Sequence, residues 1–224
     1  MSERRSSLSF EPIADRYDAT RGGEDRGRRT AANLAPLLDP ASPVMEVGIG
    51  TGIVAVADAA QLPVADAAIH QAVSVWLLHL VADRAVVLAE VARALRPGGR
   101  YLAILAQVRV PPHDEIERLL FDMRNQLDPT GGWRDHERQV LEAAQFTGFT
   151  VFDQRLASLG EVRQSPAEIA DDIEAKTWSH LWDLTEAQWR TVVAPAVAVL
   201  RALPDAHVQR RYDIPQRIIV LQRR

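Results

Sequence analysis

Val44-Met-Glu-Val47 runs straight into Gly48-Ile-Gly-Thr-Gly52, a short apolar strand ending in three glycines at alternate positions. Glycines in such a loop let the backbone approach a ligand without a Cβ in the way. The loop does not fit the phosphate-cradling pattern, which needs a Gly-Lys-Ser/Thr that is absent here. It also fits the dinucleotide fingerprint poorly, because Ile53 stands where the third glycine belongs. A glycine-rich turn can also be no more than a turn.

The rest of the chain alternates strands and helices. Ile69 to Leu80 is apolar with several β-branched residues, and its first half reads as a buried strand. Asp83 to Leu95 is the clearest helix, with Val87, Leu88, Val91 and Leu95 on one face, Asp83 as cap and Pro97-Gly98-Gly99 as terminator. Tyr101–Leu105 is the next strand. Asp114 and Glu117 form a capping box for a helix burying Ile116, Leu119, Leu120 and Met123. Arg134 to Thr147 is helical, and Gly148 gives it a left-handed end before the strand Phe149–Asp153. Ser165-Pro-Ala-Glu168 and Thr185-Glu-Ala-Gln188 are further capping boxes, and Pro195 bends or splits the helix after the second. Arg217–Gln222 closes the series. Upstream, a helix through Arg28, Thr30 and Ala31 to Leu38 is stopped by Asp39-Pro-Ala-Ser-Pro43. The alternation predicts an α/β, doubly wound, mostly parallel sheet in a single domain spanning 1–224. Residues 1–43 form its N-terminal helical segment, 44–160 and 206–224 its sheet core, and 161–205 a helical cap.

Composition narrows the function. The 224 residues carry a formal charge of −4, which offers no counterion-release drive toward nucleic acid and no polybasic membrane anchor. The longest uncharged run, Ala67–Ala82, contains His70, Gln71, Ser74 and His79 and is too short and polar for a membrane span. The chain has no cysteine, so a thiol nucleophile and a thiolate zinc site are excluded. The remaining histidines, His70, His113, His136, His180 and His207, show no metal-ligand spacing, and no metal is assigned. MSERRSSLSF at the start lacks a signal peptide's apolar core. The expectation is a cytoplasmic, soluble chain.

Four motifs in order resemble the class I S-adenosylmethionine-dependent methyltransferases. Glu46-x-Gly-x-Gly-x-Gly52 is similar to that family's first motif. Asp58-Ala-Ala-Gln-Leu-Pro63 with Asp66 is similar to the segment past its third strand, and Leu95-Arg-Pro-Gly-Gly99 to the turn before its fifth. Ala14-Asp-Arg-Tyr-Asp18 with Arg21, and Arg211-Tyr-Asp-Ile-Pro215 through Leu221, resemble the ends of its ubiquinone-type, small-molecule branch. The resemblance implies a Rossmann-like sheet, S-adenosylmethionine as cofactor and a small-molecule acceptor. It assigns cofactor contacts to Tyr17, Glu46, Gly48, Gly50, Thr51, Gly52, Asp58, Ala59 and Trp76. Glu46 would accept from loop amides or reach the methionine ammonium through water. Asp58 would sit beside the adenine amino group, Ala59 beside the ring, and Tyr17 over the cofactor as a lid. Two of these have plainer readings, Tyr17 as packing under the N-terminal segment and Asp58 as a surface carboxylate.

His79 follows the second of these strands in Trp76-Leu-Leu-His-Leu80. Active sites of doubly wound sheets lie at the carboxyl ends of strands, so His79 is the candidate catalytic base. It can equally be a histidine satisfied by a backbone carbonyl. Trp178, Trp182 and Trp189 either line an acceptor pocket or pack the cap helices.

The pattern breaks in one place. The family places a strand, a helix and another strand between the glycine loop and the Asp-Ala segment, and the first of these strands ends in the acid that binds the ribose. Here only residues 53–57 separate Gly52 from Asp58. A βαβ unit takes about 30 residues. Either the chain has an internal deletion, or the natural protein carries residues that this sequence omits. The shortened chain predicts five strands, a crossover with residues 53–61 as its helix or part of it, and Val44–Val47 at a sheet edge. That edge could pair with a second copy in a homodimer. Losing two charge-assisted ribose hydrogen bonds, at roughly 1.5–3 kcal/mol each, weakens binding about 10²- to 10⁴-fold. The alternative function is therefore a methyltransferase-like binding or interaction protein that no longer methylates.

Overall fold

The computed structural model describes residues 23–48, 58–106, 112–129 and 137–224. Helix α1 spans Gly23–Leu34 and passes into a 3₁₀ turn, Ala35–Leu37. The α-helix therefore stops sooner than the sequence reading placed it. Pro36 has no N–H to continue the ladder, so the tighter turn takes over before Asp39.

Strands β1 (Val44–Glu46), β2 (Ile69–Val75), β3 (Leu95–Leu105), β4 (Phe149–Gln164) and β5 (Arg210–Arg223) form a five-stranded sheet in the order β1-β2-β3-β5-β4. β1, β2 and β3 are parallel, and β5 runs antiparallel to β3. The strand count and the edge position of β1 agree with the shortened connection read from the sequence. Val44 on that edge is 43% exposed.

Helices α2 (Arg84–Ala94), α3 (Glu115–Leu127), α4 (Glu137–Phe146), α5 (Pro166–Glu174) and α6 (Ala194–Ala202) complete the chain. The Asp83 carboxylate accepts the Ala85 and Val86 amides at the start of α2, as its sequence requires. Gly148 ends α4 at φ +90°. Both capping boxes, at Ser165 and Thr185, are closed. Pro195 lies in the first turn of α6, directly after a π-helical turn at Trp189–Val193.

Three local expectations change. Pro97-Gly98-Gly99 is not a turn outside the sheet: β3 begins at Leu95, and the register slips between Ile69↔Leu95 and Gln71↔Arg100. The intervening residues bulge from the ladder, with Gly98 at φ +75°. The 53–61 helix is not seen at 58–61, which is a turn closed by the Gln61 amide on the Asp58 carbonyl at 2.9 Å; residues 53–57 lie outside the described chain. In α3 the Asp114 carboxylate caps Glu117, but Glu117 reaches back to the His113 amide at 2.6 Å rather than to that of Asp114.

The chain divides into two compact units, one of residues 1–108, 134–159 and 215–224, the other of 109–133 and 160–214. In the first unit the sheet is covered on both faces. Ala72, Tyr101, Ala103, Ile219 and Leu221 pack with Val87, Leu88 and Val91 of α2 and Val140 and Ala144 of α4. Val73, Leu102, Ile104, Ile218 and Val220 pack with Leu34 and Leu37. Gln216 accepts from Asn33 at 2.9 Å, joining α1 to β5. The second unit has its own core of Ile116, Met123 and Leu127 from α3, Ile169 and Ile173 from α5, and Val197 and Leu200 from α6. Trp178 and Trp189 pack against this core, which is the packing alternative of the sequence reading. Lys176, at φ +51°, stops the preceding helix, so Trp178 and Trp182 flank a 3₁₀ turn instead of sharing an α-helical face.

Candidate functional site

The parallel arrangement brings the carboxyl ends of β1 and β2 side by side. Glu46 pairs in register with Val73, and the Val47 amide extends the ladder to the Val73 carbonyl at 2.8 Å. Gly48 then turns the chain at φ +83°, a left-handed conformation that glycine adopts without strain. β2 runs on to Val75, and the Trp76 amide bonds the Ile104 carbonyl of β3 at 3.0 Å. Trp76 itself stands at φ +50°, unusual for an aromatic residue, and throws the chain out of the sheet.

The next four residues make a turn closed by the Leu80 amide on the Leu77 carbonyl at 2.8 Å. Leu78 anchors it in the core at 0% exposure, and its carbonyl accepts from Arg84 Nε at 3.1 Å. This turn carries His79, which is half-buried. The two loops touch: a Cβ built on Gly48 would stand 2.8 Å from Leu77 Cδ1. Glu46–Gly48 and Trp76–His79 therefore form one surface.

The Glu46 side chain is exposed at the end of β1, and partial removal from water pushes its carboxyl above the usual carboxylate range. Such a group gains from a cationic partner. Trp76 is covered on one face by Arg26 of α1, whose guanidinium carbon lies 4.1 Å from the ring centroid.

Asp58 is exposed, and its Oδ1 accepts the Ala60 amide at 2.9 Å, a self-contained turn. Ala59 and Leu62 pack against the core beside Met45 and Leu77. The Leu62 amide donates to Glu90 of α2 at 2.8 Å, and Arg93 donates to the Leu62 carbonyl at 3.2 Å. Arg93 also pairs with Glu90 and with Asp66, and its bond to Glu90, together with the Leu62 amide, holds the Glu90 carboxyl below its usual range. The Asp58–Asp66 segment is thus fastened to α2. Tyr17, Gly50, Thr51 and Gly52 lie outside the described residues.

The sequence reading missed Leu77, Arg26, Glu90 and Arg93. Glu90 and Arg93 were accessible in principle, as an i, i+3 pair on a well-capped helix. The others act through contacts between segments distant in sequence.

Residues 39–103 match the family model described as a methyltransferase domain. No curated protein matches the chain. Among solved structures, the cyclase SpnF is similar in fold at TM-score 0.54 and 16% identity, covering 98% of this chain and 99% of its own. Phosphoethanolamine N-methyltransferase 2 of Haemonchus contortus, in complex with phosphomonomethylethanolamine and S-adenosylhomocysteine, is similar at TM-score 0.50 and 15% identity. That alignment covers 96% of this chain and 60% of the nematode protein. Residues 39–103 match a methyltransferase domain by sequence, and the fold built around them is the Rossmann-like fold of these similar structures.

Proposed function

We infer that the chain binds S-adenosylmethionine at the carboxyl ends of β1 and β2 and transfers its methyl group to a small-molecule acceptor. The observation that carries this reading is the surface formed by Glu46–Gly48 and Trp76–His79, inside the segment that matches a methyltransferase domain. The residues fit the cofactor's chemistry. Glu46, at the end of β1 with its carboxyl raised by partial desolvation, would hold a cationic group. Gly48 turns the loop away from β1 at φ +83°, a backbone path that a side chain would strain. When bound, S-adenosylmethionine supplies an electrophilic methyl group. His79, on the adjoining turn, is the group that would take a proton from an acceptor hydroxyl or amine as attack proceeds. Alignment of the acceptor does most of the remaining work, because methyl transfer needs little beyond positioning.

The test is calorimetric titration of the purified chain with S-adenosylmethionine and S-adenosylhomocysteine. Micromolar binding supports the reading, and His79→Ala should then lower turnover while leaving that affinity within about threefold. A folded chain that ignores millimolar cofactor overturns it. One observation favours a second reading, in which the fold binds without methylating: only residues 53–57 stand between Gly52 and Asp58. The cyclase among the similar structures illustrates that the fold does not by itself specify transfer. Tight cofactor binding with no methylation of any acceptor would favour that second reading.

A further inference from the structure

The sheet has two edges, and they differ. β1 is an edge of three residues. β4 is the other, sixteen residues long, and its portion 149–159 belongs to the first unit. Within that portion the flanks are engaged. The Phe149 carbonyl accepts from Arg224 at 3.0 Å, and the carbonyls of Ser158 and Leu159 accept from Asn33 and Arg29 of α1 at 2.9 and 2.8 Å. Between them the side chains are largely exposed, with Phe152 at 50% and Leu156 at 56%, and the contacts there include Arg100 over the Phe152 ring at 3.9 Å and the Gln154 amide on the Asp153 carboxylate at 2.8 Å, which a pairing strand would displace. Phe146, at the end of α4, is 89% exposed three residues before the strand begins. A long edge with large apolar side chains is a template for another strand.

The sequence of this stretch is complementary to itself. Facing residues of an antiparallel pair project to the same side of the sheet, so a two-fold axis perpendicular to it must pass where a residue meets its own copy. An axis at Gln154 sets Phe152 against Leu156, Asp153 against Arg155 and Val151 against Ala157. Each pairing is favourable, one of them between opposite charges. Moving the axis to Asp153 or to Arg155 would set like charges directly against each other. Asp153 and Arg155 already attract within one chain, at 2.6 Å, and a second copy would present the same two charges in reverse order.

We propose that β4 pairs antiparallel with β4 of a second copy, about a two-fold axis at Gln154, to give a homodimer with a continuous ten-stranded sheet. The interface is isologous, so each favourable pair occurs twice. It is independent of the cofactor reading and of β1.

The test is the mass in solution by sedimentation or light scattering, with circular dichroism to check folding. The chain should have twice the monomer mass at about 100 µM, a concentration that populates even weak dimers. Asp153→Arg alone and Arg155→Asp alone should each be monomeric, because each sets like charges against each other at two places. An equimolar mixture of the two should recover the dimer, since each variant then faces the opposite charge. Leu156→Lys should also be monomeric, and it reads the same surface should a charge variant fail to fold. A monomeric parent chain at that concentration overturns the proposal. So does a dimer that survives all three substitutions, or one lost on Val44→Lys alone, which would place the contact at β1.

Discussion

The side chain of Gln71 and the backbone of Asp39 exchange hydrogen bonds in both directions. Gln71 Oε1 accepts the Asp39 amide at 2.9 Å, while its Nε2 donates to the Asp39 carbonyl at 2.8 Å and to the Ser42 carbonyl at 2.7 Å. One buried amide on β2 thus satisfies the turn that delivers the chain into β1, and so sets where Glu46 and Gly48 begin. The Asp39 carbonyl keeps the Ser42 amide at 3.2 Å, so Gln71→Leu leaves one donor and one acceptor unmatched and should cost about 1–3 kcal/mol. For a chain of this size that lowers Tm by roughly 2–4 °C per kcal/mol, and thermal denaturation reads it directly. Cofactor affinity should fall as well. A Gln71→Leu variant as stable as the parent would show that the turn is held by other means.

Gly48→Ala tests the contact between the two loops. A left-handed alanine costs about 1–2 kcal/mol, and the new Cβ meets Leu77 Cδ1 at 2.8 Å. Leu77 is a flexible side chain that can swing aside, so most of the penalty should be backbone strain. Adding Leu77→Ala should then return only a small part of the lost stability. Recovery of nearly all of it in urea denaturation would assign the cost to the side-chain contact instead.

Arg26 over Trp76 ties α1 to the residue that leaves β2 at the site. Arg26→Ala should destabilise by about 0.5–1 kcal/mol, the range for a cation–π contact, with Arg26→Lys retaining part of it. Because Trp76 is strained at φ +50°, loosening this cover should also weaken cofactor binding by more than the stability change accounts for. Equal affinity in parent and Arg26→Ala would confine the contact to stability.

What could be read beforehand was what is encoded locally. Asp83, Ser165 and Thr185 cap helices through amides two or three residues away, so their patterns suffice without tertiary context. The five strands and the edge position of β1 followed from counting residues between Gly52 and Asp58. The bulge at Gly98 did not, because Pro-Gly-Gly looks the same in a turn as in a slipped ladder, and only the partner strand decides. Nor did the roles of Gln71 and Arg26, whose partners lie 32 and 50 positions away. Asp58 was read as an adenine contact or a surface carboxylate, and the turn that its carboxylate makes with the Ala60 amide was not legible. At the site, the glycine loop and His79 stood out by residue type. The Leu77 contact that joins their two loops has no signature in sequence.

Glu46 should make stability and binding respond oppositely. Burial raises its carboxyl in the folded chain above the unfolded value. The folded state therefore holds the proton more tightly, and the group costs least below the unfolded pKa. As pH rises from the unfolded value through the folded one, the charged form is held where the protein partly shields it from water, so stability falls slightly and the small penalty persists at neutral pH. Glu46→Gln removes the charge, so it should raise Tm at neutral pH, and this gain should shrink toward zero in mildly acidic solution. The same change should weaken S-adenosylmethionine by roughly 1.5–3 kcal/mol, the worth of a charge-assisted bond. Cofactor binding by the parent should release a proton near the raised pKa, seen as a heat that varies with the buffer's ionisation enthalpy. Glu46→Gln with unchanged stability across pH, or with full cofactor affinity, would remove Glu46 from the site.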